Sequence, residues 1–258
     1  MHVLVIESEP DELLSQTGQS HARDFGAELQ RLDKRVEIEI GMPYAQRLTG
    51  ASLGHVDAVV FPGAGVAWSA DDPRAEPLQH AMETVFAHGL PCFGSCMGLQ
   101  LAAVVLGGQV ATGPAELGVA KSIRLTEAGR SHPLMAGRTG VFSAPTVHAD
   151  QVTRLPRDAR LLAANEACPI QAFAYQTGGV DFWGVEYHPE ISAANIGHYL
   201  GANEIKFPDS QSLIADLLAA ESDPMAAARL GTTPAEMAHS TRTLELRNWL
   251  EHVRGRLV

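Results

Sequence analysis

The chain has 258 residues, 45% hydrophobic and 19% charged, with a net charge of −11 and three cysteines. This is ordinary for a soluble globular chain with a full-sized core, in one large domain or two small ones. The acidic surplus disfavours nucleic acid and anionic membranes as partners, since both need basic patches. The odd, sparse cysteine count argues against a disulfide scaffold and for reduced thiols in the cytoplasm.

Met1–Ile6 is apolar but short, with no basic leader region and no small-residue cleavage site, so it reads as a first buried strand over His2–Glu7. No stretch approaches the ~20 apolar residues that cross a bilayer. Helical spacing over His21–Leu32 is followed by an alternating strand at Val36–Ile40 and an apolar run at Ala58–Phe61 that ends in Pro62-Gly63. Glu76–His88 is helix-like, Pro91–Gly94 is a short strand, and Met97–Leu106 is a helix stopped by Gly107-Gly108. This alternation implies an open, mostly parallel sheet covered by helices on both faces. From Val119 to Tyr187 the rhythm turns to successive strands, at Ala120–Leu125, Val141–Val147, Arg160–Ala164, Ile170–Tyr175 and Val180–Tyr187, expected as antiparallel additions. Residues 1–200 are expected as one α/β domain and 201–258 as a helical C-terminal extension packed on it. In that extension Asp209 or Ser210 can cap one helix, and Thr233-Pro234-Ala235-Glu236 has the form of a capping box. The stripe Met237, Leu244, Leu246, Trp249, Leu250 and Val253 is expected to pack on the parent domain, with a homodimer surface as the alternative.

The informative segment is Gly94-Ser95-Cys96-Met97-Gly98, where a strand ends and a helix begins. A residue flanked by glycines at −2 and +2 in this setting fits a nucleophile elbow. The turn is sharp enough that side chains at 94 and 98 would strike neighbouring backbone. It presents Cys96 at the carboxyl edge of the sheet, at a helix N-terminus whose dipole favours a thiolate. Cys92, inside the strand, and Cys168, in a loop, are expected to be structural. A thiol nucleophile needs a base. Among 11 histidines, His188 stands at the end of the apolar run Val180–Tyr187, with Glu190 two residues on and proline between them. A carboxylate so placed can fix the imidazole tautomer and support its charged form. On its own His-Pro-Glu could equally be a solvated turn, but with the elbow a Cys96-His188-Glu190 triad is favoured. No His/Cys/Asp/Glu set has convincing spacing for a metal.

These segments resemble class I glutamine amidotransferases. The elbow is similar to that family's G-x-C-x-G-x-Q, through Gly94, Cys96, Gly98 and Gln100, and Gly184–Glu190 resembles G-V-Q-x-H-P-E with Glu186 in place of glutamine. Phe61–Gly65 lies where the family has a glycine-rich oxyanion strand, with Asp71-Asp72-Pro73 beyond it, and Val147–Val152 looks like S-H-x-D-x-V. The family's Gly-Gly-Pro is here Pro62-Gly63-Ala64, and Val147 stands where serine or threonine is common. The resemblance, over residues 1–200, implies a flavodoxin-like fold, a stand-alone member similar to the amidotransferase domain of GMP synthase and to γ-glutamyl peptidases, and no cofactor. It implies a γ-glutamyl thioester on Cys96, formed from glutamine or a γ-glutamyl small molecule. Backbone N–H groups of Gly63 and Met97 would hold the oxyanion, Gln100 would hold the glutamyl end, and backbone near His148 would hold its amino-acid head. No synthase domain or nucleotide-binding loop fits within the chain. That leaves a glutaminase subunit passing ammonia to a synthase, a stand-alone γ-glutamyl hydrolase, or a catalytically silent binding module. Trp68-Ser69 and His132–Met135 are candidates for the border of the substrate opening, with packing as the alternative.

Overall fold

The computed structural model describes residues 1–203 and 207–257, so residues 204–206 and 258 of the expected extension lie outside the described residues. Its strands are β1 (His2–Ile6), β2 (Glu37–Gly41), β3 (Ala58–Phe61), β4 (Pro91–Ser95), β5 (Gln109–Leu125), β6 (Val141–Arg154), β7 (Arg160–Ala164), β8 (Ala172–Tyr175) and β9 (Asp181–Val185). They form one sheet in the order β2-β1-β3-β4-β9-β8-β7-β5-β6. The helices are α1 (Asp11–Thr17), α2 (His21–Leu32), α3 (Glu76–Ala87), α4 (Met97–Val105), α5 (Glu127–Ser131) and α6 (Ala193–Ala202). At the C-terminal end follow α7 (Gln211–Ala219), α8 (Pro224–Arg229), α9 (Pro234–Met237), α10 (His239–Arg242) and α11 (Leu244–Arg256).

The strands β2-β1-β3-β4-β9 pair in parallel, and their apolar side chains alternate between two cores. Val3, Val5, Val60, Phe93 and Trp183 face one side, under α2 and α11. Leu4, Ile6, Val59, Phe61 and Phe182 face the other, under α3 and α4. The sheet is therefore covered on both faces. The far end is antiparallel: β8 pairs with both β9 and β7, and β5 pairs with β7 and with β6. β9 departs from the expectation that all these later strands are antiparallel additions, because it runs parallel to β4. A tight turn with Gly178 and Gly179 at positive φ returns the chain from β8. The new strand then lies buried on both faces, where an unbroken apolar run belongs.

Element ends shift where caps decide them. The last helix before the C-terminal segment starts at Ala193 rather than Ile191, because the Ser192 hydroxyl accepts from Asn195 N–H. Thr233 caps α9, but Glu236 does not return to the cap; its carboxylate accepts from the backbone N–H and hydroxyl of Ser143 on β6. Half of the expected capping box is thus a long-range tie.

The C-terminal helices cover the sheet rather than trailing from it. Leu246, Trp249, Leu250 and Val253 of α11 are at most 2% exposed, and the Trp249 ring lies 5.8 Å from that of Phe93 on β4. The stripe that offered a homodimer surface is covered from within the chain. Arg138 makes two hydrogen bonds to Glu245, at 2.7 and 2.8 Å, and Tyr187 donates to the same carboxylate at 2.6 Å. Arg138 and Glu245 are 1% and 0% exposed. Removing one partner of such a buried pair strands a charge, at about 3–5 kcal/mol, whereas an apolar pair of similar volume is close to neutral. Arg138→Leu is therefore expected to lose about that much in urea unfolding, and Arg138→Leu with Glu245→Leu to recover most of it. Equal loss in the single and double variants would count against a stranded charge.

Candidate active site

β4 passes into α4 with no intervening loop, and Cys96 takes φ 48°, ψ −110°, a conformation a non-glycine residue adopts only when its surroundings impose it. A Cβ on Gly98 would lie 1.9 Å from the Phe61 carbonyl oxygen, and one on Gly94 would lie 2.6 Å from the Gly98 carbonyl carbon. Both glycines are thus required by close backbone approach. Cys96 N–H donates to Val185 O at 2.9 Å, so the elbow is pinned to the end of β9.

From that end the chain runs on through Glu186 and Tyr187 to His188, whose N–H donates to Pro145 O at 2.8 Å. His188 Nδ1 lies 2.7 Å from Glu190 Oε1, and Ser95 Oγ donates to the same oxygen at 3.2 Å. A carboxylate accepts, so Nδ1 carries the proton and Nε2 is left to act as a base. Gly63 sits beside both residues, since a Cβ there would meet His188 Cε1 at 2.7 Å and Cys96 Cβ at 3.6 Å. Two clefts of about 380 and 370 Å³ meet at Cys96. Cys96 and His188 both line the first; Cys96, Met97, Gln100 and Asp150 line the second.

The matched family model is glutamine amidotransferase class I, over residues 21–207. The chain belongs to the class I glutamine amidotransferases. It is 30% identical over 255 residues to a γ-glutamyl-L-1-hydroxyisopropylamide hydrolase of Pseudomonas sp., covering 92% of this chain and 86% of the relative. It is 31% identical over 185 residues to the glutamine-hydrolysing GMP synthase of Edwardsiella ictaluri (strain 93-146), covering 69% of this chain but only 34% of the synthase. A glutamine amidotransferase structure from Thermotoga maritima superimposes with a TM-score of 0.70 at 19% identity, over 98% of this chain and 97% of that one.

Beneath the amidotransferase elbow lies a buried polar shell. Gln100 Nε2 donates to Glu186 Oε1 at 2.7 Å and to Asp150 O at 2.9 Å, so its amide nitrogen is already engaged. The His148 ring is turned away from the elbow, with Nε2 3.1 Å from Glu116 Oε2 and Nδ1 3.1 Å from Asp150 O. The ring thus lies between a carboxylate and a backbone carbonyl, two groups that favour its protonated form. Burial pulls that ring's pKa down, but the Glu116 hydrogen bond and the Glu186 charge outweigh it and hold it above its ordinary range. Gln171 and Asn165 also donate to Glu116, at 2.5 and 2.6 Å. Glu116, His148 and Cys168 do converge within 4.8 Å, a grouping invisible in their spacing. Here Glu116 and His148 are joined by a hydrogen bond that Gln171 and Asn165 extend.

The sulfur hydrogen-bonds Val147 O at 3.9 Å. Its helix-terminal position acts as anticipated only in part. Burial pushes the Cys96 thiol well above the ordinary range and the Glu186 charge adds to it, whereas the Met97 N–H pulls the other way. Of the remaining expectations, Trp68 lines the second cleft, with Arg74 stacked 4.7 Å from the ring. His132 lines neither cleft at Cys96. It is buried against Trp183, at a ring distance of 4.8 Å. Two ties carry no local signal in the sequence. Arg242 of α10 donates to Pro189 O, fastening the His-Pro-Glu turn to the C-terminal helices. Glu9 and His21 pair at the rim of the first cleft.

Glu186, fully buried, has its pKa pushed up to about 7 by burial, despite the opposing pull of His148 and Gln100. A carboxyl raised in the folded state is least costly below its unfolded pKa, and the cost grows as pH rises towards 7. Glu186→Gln removes that cost and one negative charge near the thiol. It is expected to raise Tm more at pH 8 than at pH 5, and to speed iodoacetamide alkylation of Cys96 at pH 8 on the order of threefold to tenfold, about half to one pKa unit. An equal Tm change at both pH values, with unchanged alkylation, would contradict this.

Proposed function

We propose that this chain hydrolyses the γ-glutamyl amide bond of a small γ-glutamyl amine, with Cys96 as nucleophile, His188 as base and acid, and Glu190 orienting the ring. The observation that carries this reading is the juxtaposition, at the paired ends of β4 and β9, of a strained Cys96 and a carboxylate-held His188. His188 takes the thiol proton as sulfur attacks the amide carbon. The oxyanion forms between the N–H groups of Gly63 and Met97, a contribution of roughly 3–4 kcal/mol where such donors have been removed. The C–N bond breaks as His188 returns the proton to the departing amine. Water then gives a proton to His188, attacks the thioester carbon and releases glutamate, restoring the thiol.

The second cleft suits the γ-glutamyl group, with Gln100 and the backbone from Val147 to Asp150 along its wall. The engaged Gln100 amide nitrogen leaves its carbonyl for substrate, and at His148 the backbone rather than the ring is the contact. This supports the head-group role given to that segment.

A self-sufficient hydrolase is favoured by the Pseudomonas relative, which matches 92% of this chain. The second reading, a glutaminase passing ammonia to a synthase subunit, is favoured by likeness to the amidotransferase part of GMP synthases. Either suits a reducing cytoplasm that keeps Cys96 a thiol.

Amine or ammonia release from glutamine and a panel of γ-glutamyl amides should separate the two. Rapid turnover of a γ-glutamyl amide by the isolated protein, lowered at least 10³-fold in Cys96→Ala and His188→Asn, is the expected result. Feeble turnover confined to glutamine would favour the synthase partner. No turnover, with Cys96 inert to a glutamine-like electrophile, would leave a silent binding module.

A further inference from the structure

The amino edge of the parallel sheet, opposite the edge that carries Cys96, gathers three side chains that take no part in the proposed hydrolysis. His2 opens β1, and strand alternation puts its side chain on the same face as Leu4. β2 pairs with β1 in parallel, with Glu37 opposite His2, so Glu39, two residues on, shares that face. His55 comes from the other side of β1, in a tight turn just ahead of β3 where Val56 N–H donates to Leu53 O at 3.1 Å. Two reciprocal bonds hold this segment to β1. His2 N–H donates to Asp57 Oδ2 at 2.7 Å, and Asp57 N–H donates to His2 O at 2.9 Å. Three segments far apart in the chain thus meet at one point, which is why spacing alone shows no metal motif.

The geometry there suits ligands around an ion. His2 Nε2 lies 3.2 Å, and His55 Nε2 2.8 Å, from the same oxygen, Glu39 Oε2. One donor atom from each of the three residues lies within 4.8 Å of the others. A tetrahedral zinc ion with bonds of about 2.0–2.1 Å keeps neighbouring ligand atoms about 3.3 Å apart. The observed separations therefore need only a small adjustment to admit one. The rings meet edge to face, with centroids 4.8 Å apart and planes at 62°, rather than stacking. A neutral imidazole can keep its proton on Nδ1, which leaves Nε2 a lone pair. Charge balance also calls for a cation. Among the described residues no lysine or arginine pairs with Glu39, whose ion-pair partners are these two rings. The side chains of His2, Glu39 and His55 are 27%, 41% and 55% exposed, so an ion can reach them from solvent.

We propose that His2, Glu39 and His55 form a binding site for a divalent transition-metal ion of the zinc type. Two imidazole nitrogens and one carboxylate oxygen hold the ion, and water completes its coordination. This donor set suits zinc better than calcium or magnesium, which take oxygen ligands. The bound ion clips the edge strand β2 and the turn before β3 to β1, away from the catalytic edge. The site is independent of the hydrolase reading.

The test titrates zinc into the whole chain, after chelator treatment, by calorimetry, with His2→Gln, Glu39→Gln, His55→Gln and His55→Asp beside the wild type. The wild type should bind one ion per chain with a Kd of about 10 μM or tighter. Each glutamine variant should bind about tenfold more weakly or worse, and His55→Asp, which keeps a ligand, should retain part of the affinity. Zinc at 100 times its Kd should raise the wild-type Tm by about 5 °C and leave the glutamine variants near their metal-free values. All three positions are at least a quarter exposed, so the metal-free Tm of each variant should match that of the wild type. The cobalt-loaded wild type should show visible d–d bands and no thiolate-to-metal charge-transfer band. Binding weaker than about 10 μM, or an affinity unchanged by any one of the three glutamine substitutions, would overturn the assignment. So would a charge-transfer band, which would place the ion on a cysteine. The cobalt spectrum and His55→Asp keep the test decisive should a glutamine variant fail to fold.

Discussion

The site depends on a place where two stretches of backbone come so close that no side chain fits between them. Gly98 approaches the Phe61 carbonyl so nearly that a Cβ would lie 1.9 Å from it, and Gly94 approaches Gly98 in turn. Only there can α4 start directly from β4 and hold Cys96 at φ 48°. The strain is local, but its anchor is the sheet: Cys96 N–H is bonded to Val185 O on the neighbouring parallel strand. That strand then leads to His188, so the placing of the two proposed catalytic residues follows from one strand pairing.

Around this pairing the protein builds shells of opposite character. Below the elbow, Glu186, Gln100, His148 and Glu116 form a buried hydrogen-bonded network that carries charge into the interior and leaves Glu186 Oε2 without a partner. Burial raises the Cys96 thiol above its ordinary range, and the Glu186 charge in that network adds to the shift. Behind His188, Ser95 and the Pro189 carbonyl are tied to Glu190 and to Arg242. The C-terminal helices are thereby tied to the His-Pro-Glu turn as well as packed on one face of the sheet.

The sequence carried the local parts of this arrangement. Gly94-x-Cys96-x-Gly98 declares a sharp strand-to-helix turn because its constraint acts within five residues, and His188 with Glu190 shows as a polar pair ending an apolar strand. Helices at His21–Leu32 and Glu76–Ala87 follow from their spacing. What the residues do not display is direction and long-range pairing. The apolar run of β9 declares burial but is silent on whether it lies parallel to β4. Glu236 looks like half of a capping box until Ser143, far away in the chain, claims it. Glu9 with His21, Glu116 with His148, and Arg242 with Pro189 are joined only by the fold, so no spacing rule exposes them. Cys168 reads correctly as buried, while the polar network beside it stays hidden.

Acyl transfer through Cys96 is tested most directly by mapping the covalent intermediate. Wild-type protein in steady state with a saturating γ-glutamyl amide would be quenched in acid and digested, and the peptides weighed. The account predicts a γ-glutamyl adduct on the peptide carrying Cys96, labile to hydroxylamine as a thioester is, and lost when that thiol is first blocked by a glutamine-like electrophile. An adduct on another residue, or continued turnover after Cys96 is fully blocked, would contradict it.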